Sequence, residues 1–123
     1  MSRAAEPIRY GQVWVSRDEV MGPMNYLVVS SDAYNAAFGD RRVIAVEVDS
    51  RSVYQGTYRE PIVDAGTALL DRLVWVARGM LEEQVAELHP ARHAAVATQI
   101  RELIASGALE LVWADPVQGV YKK

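Results

Sequence analysis

Asn25-Tyr-Leu-Val-Val-Ser-Ser-Asp-Ala-Tyr-Asn35 passes from an apolar run to a polar knot and then to helix-forming residues. Residues 26–31 are apolar almost throughout, which predicts a strand buried on both faces. Asp32 is placed to cap a short helix over 33–38, its carboxylate accepting from free backbone N–H groups. Gly39-Asp40 closes that helix. Upstream, residues 12–16 (Gln-Val-Trp-Val-Ser) are rich in β-branched and aromatic side chains and predict a strand. Between the two strands, residues 17–24 read as a short polar connection carrying the turn signal Gly22-Pro23.

Working outward, residues 1–9 read as a frayed leader, with Pro7 at the entry to the fold. Residues 42–48 predict a third strand, 49–52 a turn, and 53–58 and 61–63 shorter, irregular strands. Asp64-Ala65-Gly66 turns into a strand over 68–76, Arg78-Gly79 breaks it, and 82–88 form a further strand. His89-Pro90 starts a helix, with proline where a missing N–H costs little. Val96, Ile100, Leu103 and Ile104 give that helix one apolar stripe. Gly107 stops it, Leu109, Leu111 and Trp113 alternate as a last strand, and 114–123 form a polar tail. The expected fold is mainly β (α+β), one domain over 1–123. It is a small barrel with a short helix and a longer C-terminal helix.

Composition narrows the chemistry. Of 123 residues, half are hydrophobic and 24% charged, the balance of a globule with a full core. With no cysteine there is no disulfide or thiolate metal site, which suits the cytoplasm. Only His89 and His93 offer imidazole, so neither a classical zinc enzyme nor any other metal or cofactor is expected. No apolar run approaches the roughly 20 residues of a membrane span. The formal net charge of −3 works against nonspecific polyanion binding. The mid-chain arginines are interleaved with acids, and no basic stripe results.

Three pieces in this order resemble the MazF/PemK family of the CcdB/MazF toxin superfamily. Gly11–Val15 matches its first strand (Gly-Gln-Val-Trp-Val), Leu27–Asn35 its second strand and helix, and Leu69-Leu-Asp-Arg-Leu-Val-Trp-Val-Ala77 its later strand. Leu81, the strand at 85–88 and His89-Pro90 fall in step with its final helix, so the likeness spans residues 10 to about 106. The resemblance implies an SH3-like barrel, a homodimer, a cognate antitoxin partner and metal-independent endoribonuclease cleavage of RNA. Two other classes stay open. One is a non-catalytic protein-binding member, such as a gyrase poison or a partner-binding regulator. The other is a structural homologue kept for dimerisation.

The resemblance departs at Met24, which stands where ribonuclease members carry an arginine. Attack by a ribose 2′-hydroxyl wants a base, an acid and a cation for the developing charge, and Met24 supplies none. Arg17 is the candidate replacement cation, Ser50 stands near the family's Thr/Ser at the end of the third strand, and Asp71 aligns with an acidic residue proposed as base. The plainer role for Asp71 is an ion pair with Arg72 or with an arginine on a neighbouring strand. Arg51, Tyr54, Tyr58 and Arg59 are the candidate RNA-binding set, since aromatic stacking on unpaired bases needs little net charge. His89 and His93 read as cap and solvated helix face, Ser30-Ser31-Asp32 as capping, and Trp14, Trp75 and Trp113 as core or interface.

Overall fold

The computed structural model describes residues 7–18, 20 and 22–105. Six strands appear in chain order: β1 (Gln12–Asp18), β2 (Gly22–Val28), β3 (Arg42–Asp49), β4 (Arg59–Ile62), β5 (Gly66–Ala77) and β6 (Leu81–Glu87). Helix α1 (Asp32–Phe38) joins β2 to β3, and α2 (His93–Ala105) follows β6. Short 3-10 turns at Arg78–Met80 and Pro90–Arg92 sit on either side of β6. The expected stop at Gly107, the strand through Leu109, Leu111 and Trp113, the tail and most of the leader lie outside the described residues.

The strands form one antiparallel sheet in the order β4-β5-β3-β2-β1-β6. Alternation sends successive side chains to opposite faces, and each face carries a buried cluster. Val13, Leu27, Val46, Val48 and Leu70 meet Val96 and Ile100 of α2 in one cluster. Trp14, Val28, Val43, Ala45, Val76 and Leu81 form a second. Leu27 and Val28 are therefore buried on opposite faces, as the apolar run predicted, and each such side chain contributes about 1.5–3 kcal/mol. Arg78 lies over the Trp14 ring, 4.9 Å from its centroid, and closes the second cluster. The two sheet edges are drawn together by Glu60 of β4, which is 3% exposed. It accepts from Arg92 Nε at 2.8 Å and Nη2 at 2.9 Å, in the turn after β6. The mainly β, barrel-like expectation holds.

Several boundaries move. The strand predicted over 26–31 ends at Val28, because the amides of Val29 and Ser30 both donate to the Ile44 carbonyl and leave the ladder. Residues 17–24 are not a polar connection: Arg17 pairs with Pro23 and Asp18 with Gly22, so only three residues join the strands. Gly22, at φ 82°, begins β2 in a conformation that favours glycine. Pro23 is tolerated there because only β1 neighbours it, β3 pairing starting at Asn25. The two irregular strands predicted over 53–63 reduce to β4, since the amide of Tyr54 donates to the Thr67 side chain instead of to a strand.

The polar knot is structural. Ser31, not Asp32, caps α1, its hydroxyl accepting from the Tyr34 amide at 3.1 Å. Asp32 reaches across the fold and accepts from the Tyr10 amide at 2.8 Å. Ser30 donates to buried Asn35 at 2.6 Å and accepts from the Ile44 amide, tying β2, α1 and β3 into one node. His89 caps the turn at Pro90–Arg92 as expected. His93, expected on a solvated face, instead packs edge-on to Tyr10 and faces the Leu88 carbonyl at 3.1 Å.

Candidate functional site

An open cavity of about 420 Å³ lies where β2, β3 and β5 meet the loop between β3 and β4. Met24, Glu47, Asp49, Ser50, Arg51, Tyr54, Arg59 and Arg72 supply its functional side chains. The two halves of the β3–β5 ladder explain why they converge. Val46 pairs with Leu73 but Val48 pairs with Ala68, so Glu47 alone opposes four β5 residues, Leu69 to Arg72. This bulge breaks strict alternation, and Leu69 and Arg72 both line the cavity despite an odd spacing.

The loop wall is fixed from below by Thr67, which is fully buried. Its hydroxyl donates to the Ser52 carbonyl and accepts from the Tyr54 amide, both at 2.9 Å. Thr67→Val keeps the shape and strands both loop groups, and is expected to cost about 1–3 kcal/mol in urea unfolding. A midpoint unchanged from the parent protein would show that the loop is held by other means. Asp49 accepts from both the amide and the Nε of Arg51, at 3.0 and 3.1 Å, and turns the chain at Ser50. These hydrogen bonds from Arg51 hold the Asp49 carboxyl below the usual carboxylate range. Asp49 thus stays ionised to lower pH than a free carboxylate.

Four of the seven candidate residues line this cavity: Ser50, Arg51, Tyr54 and Arg59. Asp71 is not part of the lining but adjoins it, its Oδ1 accepting from Nη1 of the lining residue Arg59 at 2.7 Å, the pairing with a neighbouring-strand arginine that the plainer reading described. Tyr58 turns the other way, packing against the interior cluster at a φ of 54°. Its carbonyl accepts from Arg59 Nη1 at 2.9 Å and from the Leu70 amide. Arg17 is outside the lining, its Nε donating to Glu82 on β6 at 2.9 Å. Arg72 and Glu47, paired at 3.5 Å, complete the site. Neither stands out in the sequence, because the bulge that aims Arg72 inward arises from strand pairing.

Met24 lines the cavity, and its sulfur accepts from the Tyr26 hydroxyl at 3.9 Å. Met24 and Ser50 thus line the same cavity. No family model matches the sequence, and no curated protein matches it. Solved structures do. A MazE–MazF complex from Deinococcus radiodurans superposes with a TM-score of 0.59 at 25% identity, over 80% of this chain and 95% of that one.

The chain has the MazF fold.

Two further solved structures agree. MazF from Deinococcus radiodurans gives a TM-score of 0.58 at 24% identity, over 81% of this chain and 97% of that one. An endoribonuclease in complex with its cognate antitoxin, from a Mycobacterial species, gives 0.59 at 23% identity, over 78% and 91%. Among the described residues, no three His, Asp or Glu side chains cluster as metal ligands. None of the described helices is long and apolar enough to cross a membrane.

Proposed function

We propose that the protein is the toxin half of a toxin–antitoxin pair and arrests growth by cutting single-stranded RNA in this cavity. The observation that carries the reading is the convergence of Ser50 with Arg51, Arg59 and Arg72 on one open site of a MazF fold. In the reaction a ribose 2′-hydroxyl loses its proton and attacks the adjacent phosphorus, the bond to the 5′-oxygen breaks as that oxygen takes a proton from water, and a 2′,3′-cyclic phosphate remains. Asp71, 41% exposed and hydrogen-bonded to the cavity-lining Arg59, takes the proton. The Ser50 hydroxyl donates to a phosphate oxygen, and Arg59 and Arg72 face the developing negative charge. Tyr54, 42% exposed at the rim, offers a ring for base stacking. Arg59 takes the place that the sequence assigned to Arg17, because Arg17 is committed to Glu82.

The chemistry needs no metal ion. The partners are a cognate antitoxin and a second copy of this chain. Trp75, 70% exposed beside Ile44 and Ile104, supports a dimer through β5 and α2. The site of action is the cytoplasm, where RNA is met.

A second reading has its own support. All three cavity arginines are paired with carboxylates, and the resemblance to the family sets Met24 opposite an arginine. Both features favour a protein that poisons a protein target, gyrase among them, without cutting RNA. Incubation of the purified protein with a long single-stranded RNA in chelator separates the two. Cleavage at a recurring short motif is the expected result; intact RNA together with growth arrest in cells gives the case to the second reading.

A further inference from the structure

The three cation–anion pairs of the cavity are not alike. Arg59 is 26% exposed and doubly held, by Asp71 at 2.7 Å and by the Tyr58 carbonyl at 2.9 Å. Arg51 and Arg72 are 89% and 62% exposed, and each is held by a single carboxylate, Asp49 at 3.1 Å and Glu47 at 3.5 Å. One guanidinium is a fixed part of the wall, and two are tethered at the mouth. A guanidinium offers the same planar fork to carboxylate and to phosphate, so an exposed pair exchanges one oxyanion for the other with little change in geometry.

We propose that Glu47 and Asp49 are built-in surrogates for RNA phosphate, and that RNA enters the cavity by taking Arg72 and Arg51 from them. The inference rests on the RNA reading of this cavity. It makes two acids of the chain determinants of RNA affinity. The carboxylates keep two long side chains aimed at the cavity, which reduces the entropy lost when phosphate arrives. They also weaken binding, since each transfer leaves an unpaired carboxylate behind. That carboxylate takes a cation back from solution as phosphate releases one, so RNA binding to this protein depends only shallowly on salt.

The test is anisotropy of a short fluorescent 2′-O-methyl RNA, which binds but lacks the attacking hydroxyl, titrated with the full chain. Glu47→Gln and Asp49→Asn are each expected to tighten binding two- to fivefold. Between about 50 and 200 mM salt, each is expected to steepen the slope of log affinity against log salt by about 0.7, the value for one freed cation on a single strand. The amide oxygen introduced by Asp49→Asn still accepts from the Arg51 amide, so the Ser50 turn survives in that variant. Asp71→Asn is expected to give no tightening, because the Tyr58 carbonyl still holds Arg59. Glu83→Gln, the same change of charge at an exposed position of β6, controls for net charge and is expected to change neither quantity. Wild-type binding with unaltered Glu47→Gln and Asp49→Asn variants overturns the exchange alone, as does a Glu83→Gln variant that matches them. Failure of every protein to bind overturns the exchange and the RNA reading together.

Discussion

Arg59→Ala is expected to slow cleavage of single-stranded RNA by about 100-fold, the usual loss when one preorganised donor to a developing oxyanion is removed. Arg59 is singled out by its rigidity. Its Nη1 is pinned between Asp71 Oδ1 and the Tyr58 carbonyl, and its side chain lines the cavity. Hydrogen bonding to Asp71 also raises its pKa further, so the cation persists at any working pH. The thermal midpoint should change little, because Asp71 is 41% exposed and is rehydrated when its partner leaves. Arg59→Lys keeps the charge but not the fork, and an intermediate rate is expected. Arg17→Ala, at a residue that only pairs with Glu82, should stay within about threefold of the parent rate, the scale of a weak surface pair. Parent-like cleavage by Arg59→Ala, or a loss in Arg17→Ala as deep as 100-fold, would return the cation's role to the first strand.

Gly66→Ala is expected to lower the thermal midpoint by about 10–20 °C, the consequence of a stability loss of about 3–5 kcal/mol in a domain of this size. Two independent costs add. Gly66 has φ 128°, outside the range of L side chains, a strain of about 1–3 kcal/mol. A Cβ there would fall onto the Asp49 carbonyl oxygen and lie 2.8 Å from Ser50 Cα, adding an overpacking cost of about 1–3 kcal/mol. The strand must give way at Asp49 and Ser50, so RNA cleavage should fall even where the variant remains folded. Gly22→Ala makes the comparison: its φ is 82°, but nothing lies within 4 Å of the added carbon. It carries the strain without the clash. Equal midpoints for the two variants would show that the close approach at Asp49 contributes nothing.

These two sites differ in how far the sequence disclosed them. Asp64-Ala65-Gly66 is legible as a turn, yet only packing shows that the glycine is required by the chain crossing over it. Arg59 is legible as one of a basic and aromatic set. Its neighbour Tyr58, placed in the same set, faces the interior instead, because a positive φ at Tyr58 reverses the direction of the chain. Thr67 reads as an ordinary β-branched strand residue; its two bonds to Ser52 and Tyr54 exist only once β5 lies beneath the loop.

The run from Asn25 to Asn35, with Gly11–Val15 before it and Leu69–Ala77 after it, carried the fold in the sequence. Alternation in Leu27-Val28 demands two buried faces, and the polar residues after it satisfy backbone groups where strand passes to helix. That information is local, and composition and spacing carry it. The tertiary structure alone decided the site. Which cation faces the cavity depends on a bulge in β5, on the pairing of Arg17 with Glu82, and on which carboxylate holds each arginine. Those are properties of strand register and of groups distant in the chain, and no short stretch of sequence contains them.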